Sequence, residues 1–232
     1  MGVWAWLTDP ANWSGPNGIP VRTWEQLQMS VIAMAIALIV ALPVGLVLGH
    51  LRRGVALTTN IGNVGRAIPT LAVLFVLASV PRIGVGDTAA VLALALFAIP
   101  PLMTNTFAGM ASVDPDVLDS GAAMGLGRRG ILWRVELPLA APLLLAGIRT
   151  ASVQVVATAS LAALVGGGGL GRYVVDGFAL QDTTLIVAGA VLTGLLAVLA
   201  EGVLAAVEHA ATPRGLRQRR ADSRLSMADV VS

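Results

Sequence analysis

Four long stretches of the chain carry no charged side chain: residues 27–49, 88–113, 150–171 and 183–200, of 23, 26, 22 and 18 residues. A helix needs roughly 20 apolar residues to cross the hydrocarbon core of a bilayer. Each stretch therefore predicts a membrane-spanning helix. A fifth, residues 67–80, is 14 residues long and reaches span length only by borrowing from the uncharged residues 55–65. Arg66 between them must then face protein or water rather than lipid. The pattern predicts an all-α, polytopic membrane protein with about five transmembrane helices, at about 27–49, 58–80, 88–110, 139–165 and 183–208. Pro100 and Pro101 interrupt the third span, and Pro138 and Pro142 lead into the fourth. Such prolines are tolerable in a bilayer where neighbouring helices satisfy the freed backbone groups.

Charge placement orients these spans. With the N-terminus outside, cytoplasmic segments hold eleven Arg, external segments hold three (Arg22, Arg82, Arg172), and Arg149 lies within a span. This satisfies the positive-inside rule, and the opposite orientation violates it. The expected division is an external interfacial segment over 1–26, a transmembrane domain over 27–209 and an Arg-rich cytoplasmic tail over 210–232. The first segment holds Trp4, Trp6, Trp13 and Trp24 and has no basic n-region, so it reads as a headgroup-layer element and not as a cleaved signal peptide. The tail lacks apolar periodicity and is expected to be disordered. Attraction to anionic membrane lipid is favoured for its arginines over nucleic acid.

Composition removes several functions. The chain is 56% hydrophobic and 12% charged, against roughly 25% charged for soluble domains. It has no Cys, which excludes disulfides and thiolate chemistry. His50 and His209 end different spans, so they form no metal-binding helical pair. There is no Lys, and a Walker A loop needs one to reach the β- and γ-phosphates. No cofactor is expected in this chain, and any ATP and Mg²⁺ would sit on a partner.

Residues 111–138 form an unusually long polar connection on the cytoplasmic side. Asp114-Pro115 is a helix-start signal. Residues 117–124 read as a short helix, Gly125 and Gly127 as a sharp turn, and residues 131–137 as a second helix stopped by Pro138. Its spacing runs Asp119-Ser120-Gly121, three residues, Gly125, nine residues, Val135, Glu136, Leu137-Pro138. This resembles the signature of ABC-importer permeases, with Asp for Glu, Ser-Gly for Ala-Ala and Val for Ile. The resemblance runs from about 26 to 215 and is nearest to osmoprotectant permeases, those for glycine betaine, choline and carnitine. Ala67-Ile68-Pro69-Thr70-Leu71-Ala72, Gly84-Val85-Gly86, Thr104-Asn105-Thr106-Phe107-Ala108-Gly109, Ala146-Gly147-Ile148-Arg149-Thr150 and Val165–Leu170-Gly171 carry it.

The resemblance implies a cell-membrane permease subunit and no enzyme. It implies a second permease subunit (identical or paralogous), a cytoplasmic ATPase dimer docking on the loop, and an extracytoplasmic substrate-binding protein. An ABC permease for another small solute, such as an amino acid, is the alternative. An ion-gradient-driven transporter fits less well, because five spans do not divide into inverted halves. An intramembrane enzyme lacks the nucleophile–base pairs it would need.

A path for a small polar solute needs uncharged polar groups facing the bundle centre. Asn63, Thr70, Asn105, Gln154 and Thr158 are the leading candidates, joined by Asn60, Thr104 and Ser160. Quaternary ammonium groups favour aromatic cages, and with Phe75, Phe97 and Phe107 alone in the spans recognition is expected on the binding protein. Arg149 and Glu201 lie at similar depth and predict an intramembrane ion pair. Gly45-x-x-x-Gly49 permits close helix approach, within the chain or between subunits. Gly166–Gly171 matches a dinucleotide fingerprint only formally. It reads either as a flexible external loop near a binding-protein docking site or as a plain turn between spans.

Overall fold

The computed structural model describes residues 2–211, apart from the side chain of Arg66. The tail expected over 210–232 lies, from residue 212, outside the described residues. Among the described residues every regular element is helical. Helix α1 (Val3–Thr8) and a 3₁₀ turn (Pro10–Trp13) precede the first span, α2 (Ile19–His50). This span starts two turns before the expected boundary at residue 27. Gly18 caps it, Pro20 occupies its first turn, and Arg22 pairs with Glu25 at 2.9 Å one turn on. A helix can continue past its apolar stretch when such pairs hold the polar turns.

The second span is broken. Helix α3 (Val55–Ala67) and α4 (Thr70–Ala78) meet at a bend of 78°. Ile68 and Pro69 between them are extended, because a proline lacks the N–H a helix needs and disfavours helical geometry in the residue before it. Helix α5 (Asp87–Ala111) is the third span and keeps Pro100 and Pro101 within it. Short helices α6 (Pro115–Ala123) and α7 (Arg128–Ile131) form the long connection. Then come α8 (Leu137–Thr158), a 3₁₀ extension (Ala159–Val165), the short α9 (Gly171–Leu180) and the last span, α10 (Thr183–Ala211).

Pro138 does not stop the second short helix. A π-helical turn over Leu132–Glu136 joins α7 to α8, so the helix runs without interruption through the proline. The wider turn moves the preceding carbonyls out of the register in which they would collide with the pyrrolidine ring.

Helix α5 is the axis of the fold. Ala33, Ala37, Ala41, Gly45 and Gly49 recur every four residues on α2 and are all buried. They face Leu94, Ala98, Leu102, Thr106 and Met110, spaced likewise on α5. A Cβ at Gly45 would lie 2.7 Å from Thr106 Cβ, and one at Gly49 would lie 2.4 Å from Met110 Cβ. The glycine pair of the first span therefore packs inside the chain, where small residues let two backbones approach closely. The other side of α5 receives Gly65 of α3 against Pro100 and Gly147 of α8 against Asn105.

Candidate functional site

The long connection folds into a knob. Asp114 caps α6, its Oδ1 accepting from the Asp116 N–H at 2.9 Å. At the far end Gly125 adopts φ +85°, its N–H donates to the Ala122 carbonyl, and the Leu126 N–H donates to Gly121. That is a left-handed helix cap, which glycine takes without strain. Gly127 is extended and serves as the cap of α7. Gly121 lies under Leu126, Ile131 and Val135. Asp119 and Ser120 face outward, while Val135 and Leu137 are half-buried and Pro138 is exposed at the start of α8. Met124 and Trp133 project large apolar side chains from the same knob, 77% and 63% exposed. Both were overlooked in sequence because a lone Met or Trp in a polar loop carries no periodic signal.

The base of the knob is tied to the end of α2. His50 Nδ1 lies 2.5 Å from Glu136 Oε2. The Arg52 guanidinium donates to the Val113 carbonyl. Beneath them Leu118, Leu132 and Leu137 pack on Met110, Val113, Ala140 and Leu144. None of these polar ties was anticipated, although a lone Glu before Leu-Pro was a visible signal.

The candidate path residues are only partly brought together. Thr70 and Thr158 line one small void with Leu74, Ala90, Ala93 and Leu94. Thr70 also lines, with Asn60, Phe97 and Pro100, a cleft of about 440 Å³ under the bend between α3 and α4. Asn105 instead donates to the Pro101 carbonyl of its own helix at 2.8 Å, and Thr104 does the same to Pro100. Asn63 and Gln154 are exposed on α3 and α8 and line neither cavity. Arg149 lies 3.4 Å from Glu201, but its shorter contact is with Glu208, at 2.6 Å. Glu208 sits two turns further along α10 on the same face, which sequence depth alone did not single out.

At the opposite end the glycine run is held firmly. Gly168 N–H donates to Asp87 Oδ1 at 2.9 Å, Gly169 N–H to Glu25 Oε2 at 2.8 Å, and Leu170 N–H to Gln26 Oε1 at 3.0 Å. Gln26 is fully buried, and its Nε2 donates to the Val156 carbonyl at 2.9 Å. One side chain thus ties α2 to both α8 and the loop. Tyr173 donates to the Asn17 carbonyl at 2.6 Å and meets Trp6 edge-on at 5.2 Å. Burial pushes its phenol pKa up, with the Arg22 charge opposing and the Glu25 charge reinforcing the shift. Glu25, Gln26 and Asp87 were missed in sequence because their partners lie 81 to 144 residues away.

Spans packed on a central helix, a broken span beside a cleft and a capped knob at one end define a membrane transport permease. Residues 41–213 match the family of binding-protein-dependent transport system inner membrane components, and the chain belongs to that family as a multi-pass membrane protein. It is 36% identical over 197 residues to the choline transport system permease protein OpuBB of Bacillus subtilis, covering 85% of this chain and 90% of the relative. It is 36% identical to the glycine betaine/carnitine/choline transport system permease protein OpuCB of the same organism, covering 84% and 89%. Against the carnitine transport permease protein OpuCB of Listeria monocytogenes the identity is 34%, covering 88% and 93%. In fold it is similar to a chain of the inward-facing MetNI methionine ABC transporter, with TM-score 0.74, 24% identity and coverage of 89% and 100%. Members of the family are inner membrane components of transport systems that depend on a binding protein.

Proposed function

We propose that this chain is the permease subunit of an ATP-driven importer for a quaternary-ammonium osmoprotectant such as glycine betaine, choline or carnitine. The knob over α6 and α7 carries this reading: a rigid, capped element whose outward face offers Asp119, Ser120, Met124 and Trp133 to a partner. The relatives named for choline, glycine betaine and carnitine supply the solute class. The pore is formed with a second permease subunit, and two ATPase subunits grip the knobs from the cytoplasm. In this reading the knob is inside and the glycine loop outside, which the positive-inside rule supports. With no lysine for a phosphate-binding loop, hydrolysis belongs to the partner and this chain does no covalent chemistry.

The solute path runs beside the bend of the broken span, with Thr70 and Thr158 at its narrow point. Asn63 and Gln154, exposed and outside both cavities, could join it only where the second permease subunit completes the path, and the Asn105 amide stays on its own helix. Closure of the ATPases pulls on the knob and tilts the spans around α5. The test is to purify the complex with its binding protein and identify the retained solute, then follow uptake in proteoliposomes. Retention of choline, glycine betaine or carnitine is expected. Retention of an amino acid instead would overturn the solute class and leave the permease reading in place.

A further inference from the structure

Glu136 is the one charged side chain that is fully buried among the described residues. Its Oε2 meets His50 at 2.5 Å, while its Oε1 has no hydrogen-bond partner. Burying a carboxylate is costly, and an apolar side chain of similar volume often stabilises a fold equally well. Fold stability alone is thus a poor account of this pair. His50 stands in the last turn of α2, where the free carbonyls favour a cation. Glu136 ends a π turn, a form of helix that tends to occur at functional sites.

A second contact lies beside the first. Arg52, in the left-handed region at φ +49°, gives its guanidinium to the Val113 carbonyl. Val113 and Glu136 are the two feet of the knob, one just before α6 and one just before α8. The end of α2 and the turn after it therefore hold both feet. Only Arg53 and Gly54 separate that turn from α3, the first half of the broken span.

We infer that His50 and Glu136 are positioning residues that carry movement of the knob into α2 and onward into α3. The ATPase then drives the broken span directly, besides the two helices that the knob joins. The inference rests on the docking reading of the knob.

The test uses the assembled transporter (this chain, its ATPase and its binding protein) in proteoliposomes, with radiolabelled choline and glycine betaine as probes. Because the chain lacks cysteine, Thr59→Cys, at an exposed position of α3 outside the cleft, reports movement through its rate of thiol labelling with and without ATP. In Glu136→Gln and in His50→Ala the ATPase should remain bound and hydrolyse ATP. Solute moved per ATP should fall at least about tenfold, the size expected for losing one charge-assisted hydrogen bond, and labelling at position 59 should stop responding to ATP. The exchanged pair, His50→Glu with Glu136→His, should restore both readouts, which a mere loss of folding would not do. Unchanged coupling and labelling in the single variants would overturn the inference, as would loss of the bound ATPase from them or failure of the exchange to restore either readout. An ATPase that does not bind the parent chain would overturn the docking reading itself. A parent that responds at position 59 but moves neither probe would count against the solute class alone.

Discussion

The two ends of the helical bundle use their polar groups in opposite ways. At the glycine-loop end, three successive backbone N–H groups are each taken by a side chain from α2 or α5, and Gln26 spends both halves of its amide. At the knob end, a buried carboxylate keeps one oxygen unpartnered and Met124, Trp133, Asp119 and Ser120 face outward. One end is closed on itself. The other leaves large apolar and polar side chains facing outward. The same central helix joins them, so on the docking proposal a push on the knob would be delivered to a bundle whose far end is already tied. A substitution should therefore damage folding at one end and coupling at the other.

The largest effect is expected at the tip of the knob. Gly125→Leu forces a side chain into φ +85°, at about 1–2 kcal/mol, and puts an isobutyl group on the face proposed to meet the ATPase. Asp119→Lys reverses an exposed charge on the proposed docking face. Both should bring uptake to background and abolish co-purification of the ATPase, while the inserted amount stays at the parent level on immunoblots. Normal uptake by both, with the ATPase bound, would erase the contrast between the ends.

Gln26→Leu comes next and should act on stability. It strands the Leu170 N–H and the Val156 carbonyl in a fully buried position, costing about 2–4 kcal/mol. A clear fall in the melting temperature of the detergent-solubilised complex is expected, with transport per folded molecule retained. A melting temperature equal to the parent's would show that this end is not closed as described. Asp87→Asn is milder, since the amide oxygen still accepts from Gly168 and only the charge is lost. It should cost about 1 kcal/mol, read by the same thermal scan.

The smallest effect should be a gain. Gly121 sits within α6, and an added Cβ would meet Leu126, Ile131 and Val135 at 3.7–3.8 Å, ordinary contact distance. Gly121→Ala should stabilise the helix by about 0.5–1 kcal/mol. Uptake should be unaltered, and a loss of transport there would mean that the partner reaches under the knob.

The spans were legible because the bilayer imposes a length on charge-free sequence, and α5 and α10 follow the expected limits within a few residues. The knob was legible because Asp114-Pro115 and Gly125 are local capping signals whose meaning needs no distant partner. What could not be read was non-local. The glycine run gave no sign of Glu25, Gln26 and Asp87 waiting on other spans. The early start of α2 at Ile19 depends on polar pairing that apolar run length does not register. Pro138 misled for another reason: the rule that proline ends a helix holds for α-helical register, and the π turn over Leu132–Glu136 changes that register. The Arg149 contact with Glu208 depends on how α8 crosses α10, which depth along a span does not specify.

The most direct test of the account is accessibility at the tip of the knob. A cysteine placed at Ser120 in this cysteine-free chain should resist a membrane-impermeant thiol reagent in intact cells. It should label readily in inside-out vesicles stripped of ATPase, and become protected when the ATPase is added back. Labelling in intact cells would contradict the orientation, and equal labelling with and without the ATPase would contradict the docking role of the knob.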